Sequence, residues 1–395
     1  MSQMDRRRVL KALGALGVAG FAGACGWGGD DDTAAQPIKI GLITPQNGGH
    51  KPVGDEMGNG FRLFLDGQDQ LLGGRRVELI TADEGETPDS ARSAVERLLQ
   101  QNVHALTGIA GAAALSAVRD TVEQARVPLI ASNASAPSLQ SVVYIWRTSY
   151  VLDEPSRALA PYIARELPAG GRVVIVAPED LRTMGIVEGF REAFGIGDSR
   201  LSGTVVWTTG DLEPSRTAFR GAINSALQQR PDAIYCYYSG TAAVQFVKQL
   251  RAAGYTKTIY GPGFLTEGSV LDELKDRESA GIKTALNYST DINNAANRRF
   301  VSSFRKAYNT SPTTYAMASY DAAQVLDKAI RLAGPASDPQ QINLALGRIG
   351  QIDSPRGSWQ FNQVRTPQQK WYLRNVQRDG RVHANVLVNE LAALG

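Results

Sequence analysis

The 395-residue chain has only two cysteines and three histidines. A Cys/His zinc site, a disulfide scaffold and a Cys–His nucleophile pair each need more of these residues than are present. Neither HExxH nor CxxC occurs, and neither GxSxG nor a phosphate-binding P-loop is found. The usual signatures of zinc, nucleophile and phosphate chemistry are therefore missing together. No metal, no cofactor and no catalytic residue is expected, and the chain reads as a non-enzyme. His104 falls in one predicted strand and His383 in a terminal one, so both read as structural, while His50 follows the first strand and is the one to test. Long apolar runs are also lacking: the stretch Ala12–Ala24 falls short of the about 20 residues that a membrane span requires.

What that stretch does have is an arginine-rich lead, Asp5-Arg6-Arg7-Arg8-Val9-Leu10-Lys11, and a run of small residues, Ala22-Gly23-Ala24, before Cys25. A charged region, a short apolar region and a small-residue cleavage site make residues 1–24 an export signal. Arg6 and Arg7 resemble the pair of the twin-arginine motif, and Ala22-Gly23-Ala24-Cys25 resembles a bacterial lipobox. The resemblance implies a mature protein lipidated at Cys25, on the outer face of the cell membrane; an ordinary signal with a coincidental cysteine is the alternative. Residues 25–37, with a triple Asp and no periodicity, read as a tether. Loss of residues 1–24 removes four basic residues and one acidic residue, so the net charge of +3 belongs to the signal and nucleic acid is not an expected partner. If Cys25 is lipidated, Cys236 has no disulfide partner; in the run Ala233–Tyr238 it reads as a buried, inert thiol.

From Ile38 onwards, strand-like runs alternate with amphipathic helical ones, as in a parallel sheet flanked by helices. Strands are predicted at 38–43, 76–80, 104–107 and 127–130, then at 172–176, 204–207, 233–237 and 258–260. The intervening helices include 58–65, 186–194 and one opened by Pro88-Asp89-Ser90, where Ala91, Ala94, Val95, Leu98 and Leu99 form an i, i+3, i+4 stripe. Helices at 297–308 and 315–332 and a terminal hairpin at 357–361 and 370–377 follow. Two consecutive series of this kind predict two similar α/β lobes. Open parallel sheets bind ligands at the carboxyl ends of their strands, which places Thr44–Asn47, Gly108–Ala114, Ala131–Ser135, Ala177–Gly185, Tyr237–Thr241 and Gly261–Thr266 around one cleft.

Ile40-Gly41-Leu42-Ile43-Thr44-Pro45, Asp83-Glu84, Gly108 before Gly111-Ala112-Ala113, Ala134-Ser135-Ala136-Pro137, Gly261-Pro262 and Tyr320-Asp321-Ala322-Ala323 occur in an order and spacing that is specific. Together they resemble the type I periplasmic binding proteins, in particular the branched-chain amino-acid (Leu/Ile/Val) receptors of ABC transporters, from Ile38 to about Val388. The resemblance implies two doubly wound, Rossmann-like lobes with three hinge crossovers. Lobe 1 would hold 38–151 and 289–350, and lobe 2 would hold 152–288 and 351–395. It further implies a monomeric solute-binding lipoprotein that delivers an amino acid or analogue to permease subunits. A receptor for amides, urea-like compounds or aromatic acids, coupled to a signalling partner, is the alternative.

The ligand-binding residues expected on this basis are Asn47, Gly111, Ala112, Ala113, Asn133, Ser135, Met184, Tyr238 and Phe264. Gly111–Ala113 would present backbone N–H groups to a carboxylate, Ala112 standing where family receptors carry a serine. Asn133 and Ser135 read equally as ligand contacts or helix caps. Met184 takes the place of a cleft tyrosine. Only one of Tyr237 and Tyr238 would reach the ligand if their strand continues. Gly263 stands where the family's ammonium-binding acid falls, so an amino-acid ligand needs another carboxylate, with Glu179, Asp180 and Glu267 as candidates.

Overall fold

The computed structural model describes residues 36–133, 135–209, 218–380 and 382–395. Arg6, Arg7 and Cys25 lie outside them. The first sheet is built from β1 (Ile38–Thr44), β2 (Leu71–Leu72), β3 (Arg75–Asp83), β4 (Ala105–Gly108), β5 (Leu129–Ala131) and β6 (Ile145–Arg147). Their order is β2-β3-β1-β4-β5-β6, parallel except for β2 against β3. The second is built from β7 (Val173–Glu179), β8 (Val206–Thr209), β9 (Ala233–Cys236), β10 (Thr258–Pro262), β11 (Ile282–Leu286), β12 (Gln360–Phe361) and β13 (Pro367–Asp379), with β14 (Val382–Leu394) paired to β13. Here the order is β12-β13-β11-β10-β9-β7-β8, with β7 to β11 parallel and β13 antiparallel to β11.

β1 shows why the strands are so apolar. Helices cover both faces of a parallel sheet, so Ile38, Ile40, Leu42 and Ile43 are all buried. The helix Pro88–Leu99 starts where Thr87 Oγ1 accepts from Ser90 N at 3.1 Å and Ser90 Oγ accepts from Thr87 N at 3.1 Å. Its predicted stripe of Ala91, Ala94, Val95 and Leu98 is the buried face. The helix expected over 58–65 instead spans Lys51–Asp66. Pro52 sits in its first turn, where a missing N–H breaks no bond.

The helices Ala295–Tyr308, Thr314–Ala333 and Pro339–Leu346 return to the first sheet, where Ala322, Val325, Leu326 and Ile342 share a core with Ile38, Ile40 and Phe61. Ile352, Trp359 and Phe361 pack in that same core. β12, which contains Phe361, pairs with β13 of the second sheet, so Phe361 touches both halves.

Polar side chains tie the connecting segments together. Arg356 Nη1 donates to Gln369 Oε1 at 2.7 Å, Gln369 Nε2 to the Ser149 carbonyl at 3.0 Å, and Asn287 Nδ2 to Gln369 Oε1 at 2.9 Å. Behind them Arg356 pairs with Asp321 at 3.1 Å, and both side chains are at most 1% exposed. Asp321 Oδ2 also accepts from Ser354 Oγ at 2.7 Å and Trp359 Nε1 at 2.9 Å.

Candidate functional site

A cavity of about 610 Å³ opens where the carboxyl ends of the two sheets meet. The first half contributes the turn after β1 with His50, Glu84–Pro88 after β3, Ala110–Ala114 after β4 and Asn133 after β5. The second half contributes Asp180 and Thr183 beyond β7, Thr208 and Thr209 of β8, Tyr237–Gly240 after β9, and Phe264 and Glu267 after β10. Glu56, Thr313 and Tyr315 complete part of the wall.

Of the expected ligand residues, Gly111, Ala112, Ala113, Asn133, Tyr238 and Phe264 line this cavity, and Asn47, Ser135 and Met184 do not. Asn47 Nδ2 instead donates to Asp83 Oδ2 at 2.9 Å, which fixes the turn against the end of β3. Ser135 is fully buried in a bridge to Val151, its N–H donating to the Tyr150 carbonyl at 2.9 Å. Met184 is 39% exposed on the helix Leu181–Phe194, whose Thr183 and Ile186 line the cavity instead.

The loop after β4 is held from two sides. Gly108 ends the strand at φ 112°, and a Cβ there would lie 2.0 Å from the Ile43 carbonyl oxygen, so only glycine fits. Asn133 Nδ2 donates to the Ala110 carbonyl at 2.7 Å; its side chain orders the loop and caps no helix. Glu84, 3% exposed, accepts from Ala110 N at 2.7 Å and from Gly111 N at 2.8 Å. The Gly111 N–H expected to face a ligand carboxylate is thus already taken by the protein's own. Burial pushes the Glu84 carboxyl above its usual range, and these two bonds oppose the shift.

On the opposite wall β9 stops at Cys236, so the alternation of side chains ends there and both Tyr237 and Tyr238 line the cavity. Tyr238 hydroxyl lies 3.0 Å from Thr208 Oγ1, and its ring stands edge-on to Phe219 at 5.1 Å. Tyr237 stands edge-on to Phe264 at 5.2 Å. Cys236 is fully buried and burial pushes its thiol up, as an inert core cysteine requires. His104 Nδ1 accepts from Lys39 N at 3.2 Å, a structural role.

Gly263 leaves no space for an acid. A Cβ there would lie 2.5 to 2.8 Å from Leu286 side-chain atoms. Among the three candidate replacements, Glu179 does not line the cavity. Asp180 lines it, and accepts from Thr183 N at 3.0 Å and Thr183 Oγ1 at 2.8 Å. Glu267 also lines it, but pairs with Arg374 at 2.7 Å, both side chains at most 5% exposed, and accepts from Thr314 N at 3.0 Å.

Glu56 is a lining carboxylate outside the helix expected over 58–65, and it lies in the first two turns of the observed one. The proline at its true first turn was the available signal. Burial pushes its carboxyl up to about 7; hydrogen bonds from Thr313 hold it down, and the nearby Glu267 charge adds to the rise. A carboxyl raised in the folded state above its unfolded value of 4.5 contributes stability below pH 4.5 that is lost as pH rises through 7. Glu56→Gln, neutral at every pH, is therefore expected to melt progressively higher than the parent between pH 5 and pH 8. Thermal denaturation across that range checks it, and a difference that shrinks with pH contradicts it.

A family model for periplasmic binding proteins matches residues 37–381. The Leu/Ile/Val-binding protein homolog 6 of Brucella melitensis is 25% identical over 362 residues, covering 87% of this chain and 88% of that protein. Among solved structures, the solute-binding protein of an R. palustris ABC transporter in complex with benzoate is 28% identical, with TM-score 0.78, covering 90% of this chain and 97% of that one. The Streptococcus pneumoniae branched-chain amino-acid transporter substrate-binding protein in complex with isoleucine is 22% identical, with TM-score 0.78, covering 89% and 99%, and shares the fold. These relatives are solute-binding proteins and not enzymes, and their place is outside the cytoplasm. The chain belongs to the periplasmic binding protein family, with the type I fold and the branched-chain amino-acid receptors of ABC transporters as its group.

Proposed function

We propose that this protein captures an amino acid or a related small polar compound in the cleft between its two halves and delivers it to the permease of an importer. The observation that carries this reading is the 610 Å³ cavity at the facing carboxyl ends of both sheets, a volume suited to one small molecule. Ala112, Ala113 and Asn133 on one wall and Tyr238 and Phe264 on the other are the ligand contacts, with Gly111 shaping the loop. The segments crossing between the halves act as hinges, so that a bound ligand favours the closed arrangement. At the N-terminus, Arg6 and Arg7 direct twin-arginine export, Cys25 carries the lipid anchor, and the mature protein works as a monomer.

A thermal-shift panel of amino acids, amides, ureas and aromatic acids tests this reading. A compound present at about 100 times its Kd adds roughly 2.7 kcal/mol of stability. One chemical class is expected to raise the melting temperature saturably, with the compound recovered unchanged. A panel without any shift, or with turnover of the compound, rules the reading out.

A further inference from the structure

The carboxylates on the cavity wall are not equivalent. Glu84 is bound to two backbone N–H groups, Asp180 to Thr183, and Glu267 to Arg374 and the Thr314 N–H. Glu86 is exposed to solvent, whereas Glu56 is half-buried and differs from the other three. Glu56 accepts only from Thr313, from N at 3.3 Å and from Oγ1 at 3.0 Å. Both bonds fall on Oε2, and among the described residues none falls on Oε1. Among the described residues the only basic side chain on the cavity wall is His50.

A carboxylate ligand entering this space meets Glu56, Glu84, Glu86, Asp180 and Glu267, and the Ala110 and Gly111 N–H groups are already held by Glu84. An ammonium meets a carboxylate with an open oxygen and, across the cavity, the faces and edges of Tyr237, Tyr238 and Phe264, which favour a cation and an apolar body together. The absent acid at Gly263 does not weaken this, because Glu56 reaches the cavity from the opposite half.

On the reading that this cavity is the solute site, we propose that it selects its ligand by an ammonium group seated against Glu56, with an apolar body on the Tyr237–Tyr238–Phe264 wall and no requirement for a carboxylate. The recognised class is thus the organic amines, including amino acids through their amino group. Glu56 is the specificity-determining residue. The raised carboxyl of Glu56 fits a position that lacks its cation until ligand arrives.

Calorimetric titration at pH 8 with two matched sets of probes tests this: phenethylamine, L-phenylalanine and phenylacetate for one body, and isoamylamine, L-leucine and isovalerate for the other. The amines and amino acids are expected to bind and the bare carboxylates to fail. Glu56→Gln, which keeps an oxygen for Thr313, is expected to weaken amine binding at least tenfold, while Glu96→Gln, exposed on the helix Pro88–Leu99 and outside the cavity, changes it less than twofold. Carboxylates that bind where amines do not, or amines that bind Glu56→Gln within twofold of the parent, overturn the proposal and leave the solute-cleft reading standing. If no probe of any class binds, both are overturned.

Discussion

Asp321→Ala is expected to destabilise the protein by about 3–5 kcal/mol, measured by chemical denaturation. Asp321 and Arg356 are 0% and 1% exposed and 3.1 Å apart, so removing the carboxylate leaves a guanidinium in the interior with no counter-charge. Burial alone pushes the Asp321 carboxyl up and the Arg356 guanidinium down, and their mutual attraction opposes both shifts. Ser354 Oγ and Trp359 Nε1 lose their acceptor in the same step. Arg356 also rests over the Trp359 ring at 4.6 Å and bonds Gln369, so the damage extends to the segments joining the two halves. The double replacement Asp321→Leu with Arg356→Met is expected to cost less than the single one, because no buried charge is left unpaired. A single-variant cost under about 1 kcal/mol contradicts the account of this pair.

Gly263→Glu, which places an acid where the resemblance implies one, is expected to cost about 3 kcal/mol, the upper end for overpacking a core. The new Cβ falls 2.6 Å from Leu286 Cβ, an atom that no rotamer change can move, so the backbone of β11 or of the turn must shift. The Gly263 carbonyl accepts from Arg374 Nη2 at 3.2 Å, and Arg374 is the partner of Glu267, so the shift propagates to that ion pair. Gly263→Ala should already show part of the loss, about 1–3 kcal/mol, in the same denaturation measurement. A Glu variant as stable as its parent contradicts the steric account.

The parallel strands were legible because buried strands are continuous apolar runs: β1, β7 and β9 lie within two or three residues of their expected bounds. β6 and β11 were not read. One has three residues, and the other, Ile-Lys-Thr-Ala-Leu, carries a lysine and a threonine that mask its apolar character. The terminal strand expected around His383 is β14, and its pairing with β13 over nearly its whole length is what no local pattern announces.

The cavity lining was legible where loop position decides it, as with Gly111 to Ala113, Asn133 and Phe264. It was not legible where a side chain's direction decides it. Asn47 and Ser135 sit in the expected loops but turn to Asp83 and into the interior. Met184 and Thr183 are sequence neighbours on one helix, yet only Thr183 faces the cavity. Glu56 lies outside the helix expected over 58–65, and Glu84 was hidden by a partner, the β4 loop, that is remote in sequence.

The most direct test of capture between the halves is a crystal structure of the protein with the strongest-binding probe of the panel. The account predicts the unchanged probe between Ala112, Ala113 and Asn133 on one side and Tyr238 and Phe264 on the other. A probe bound outside this cavity, or chemically altered within it, contradicts the account.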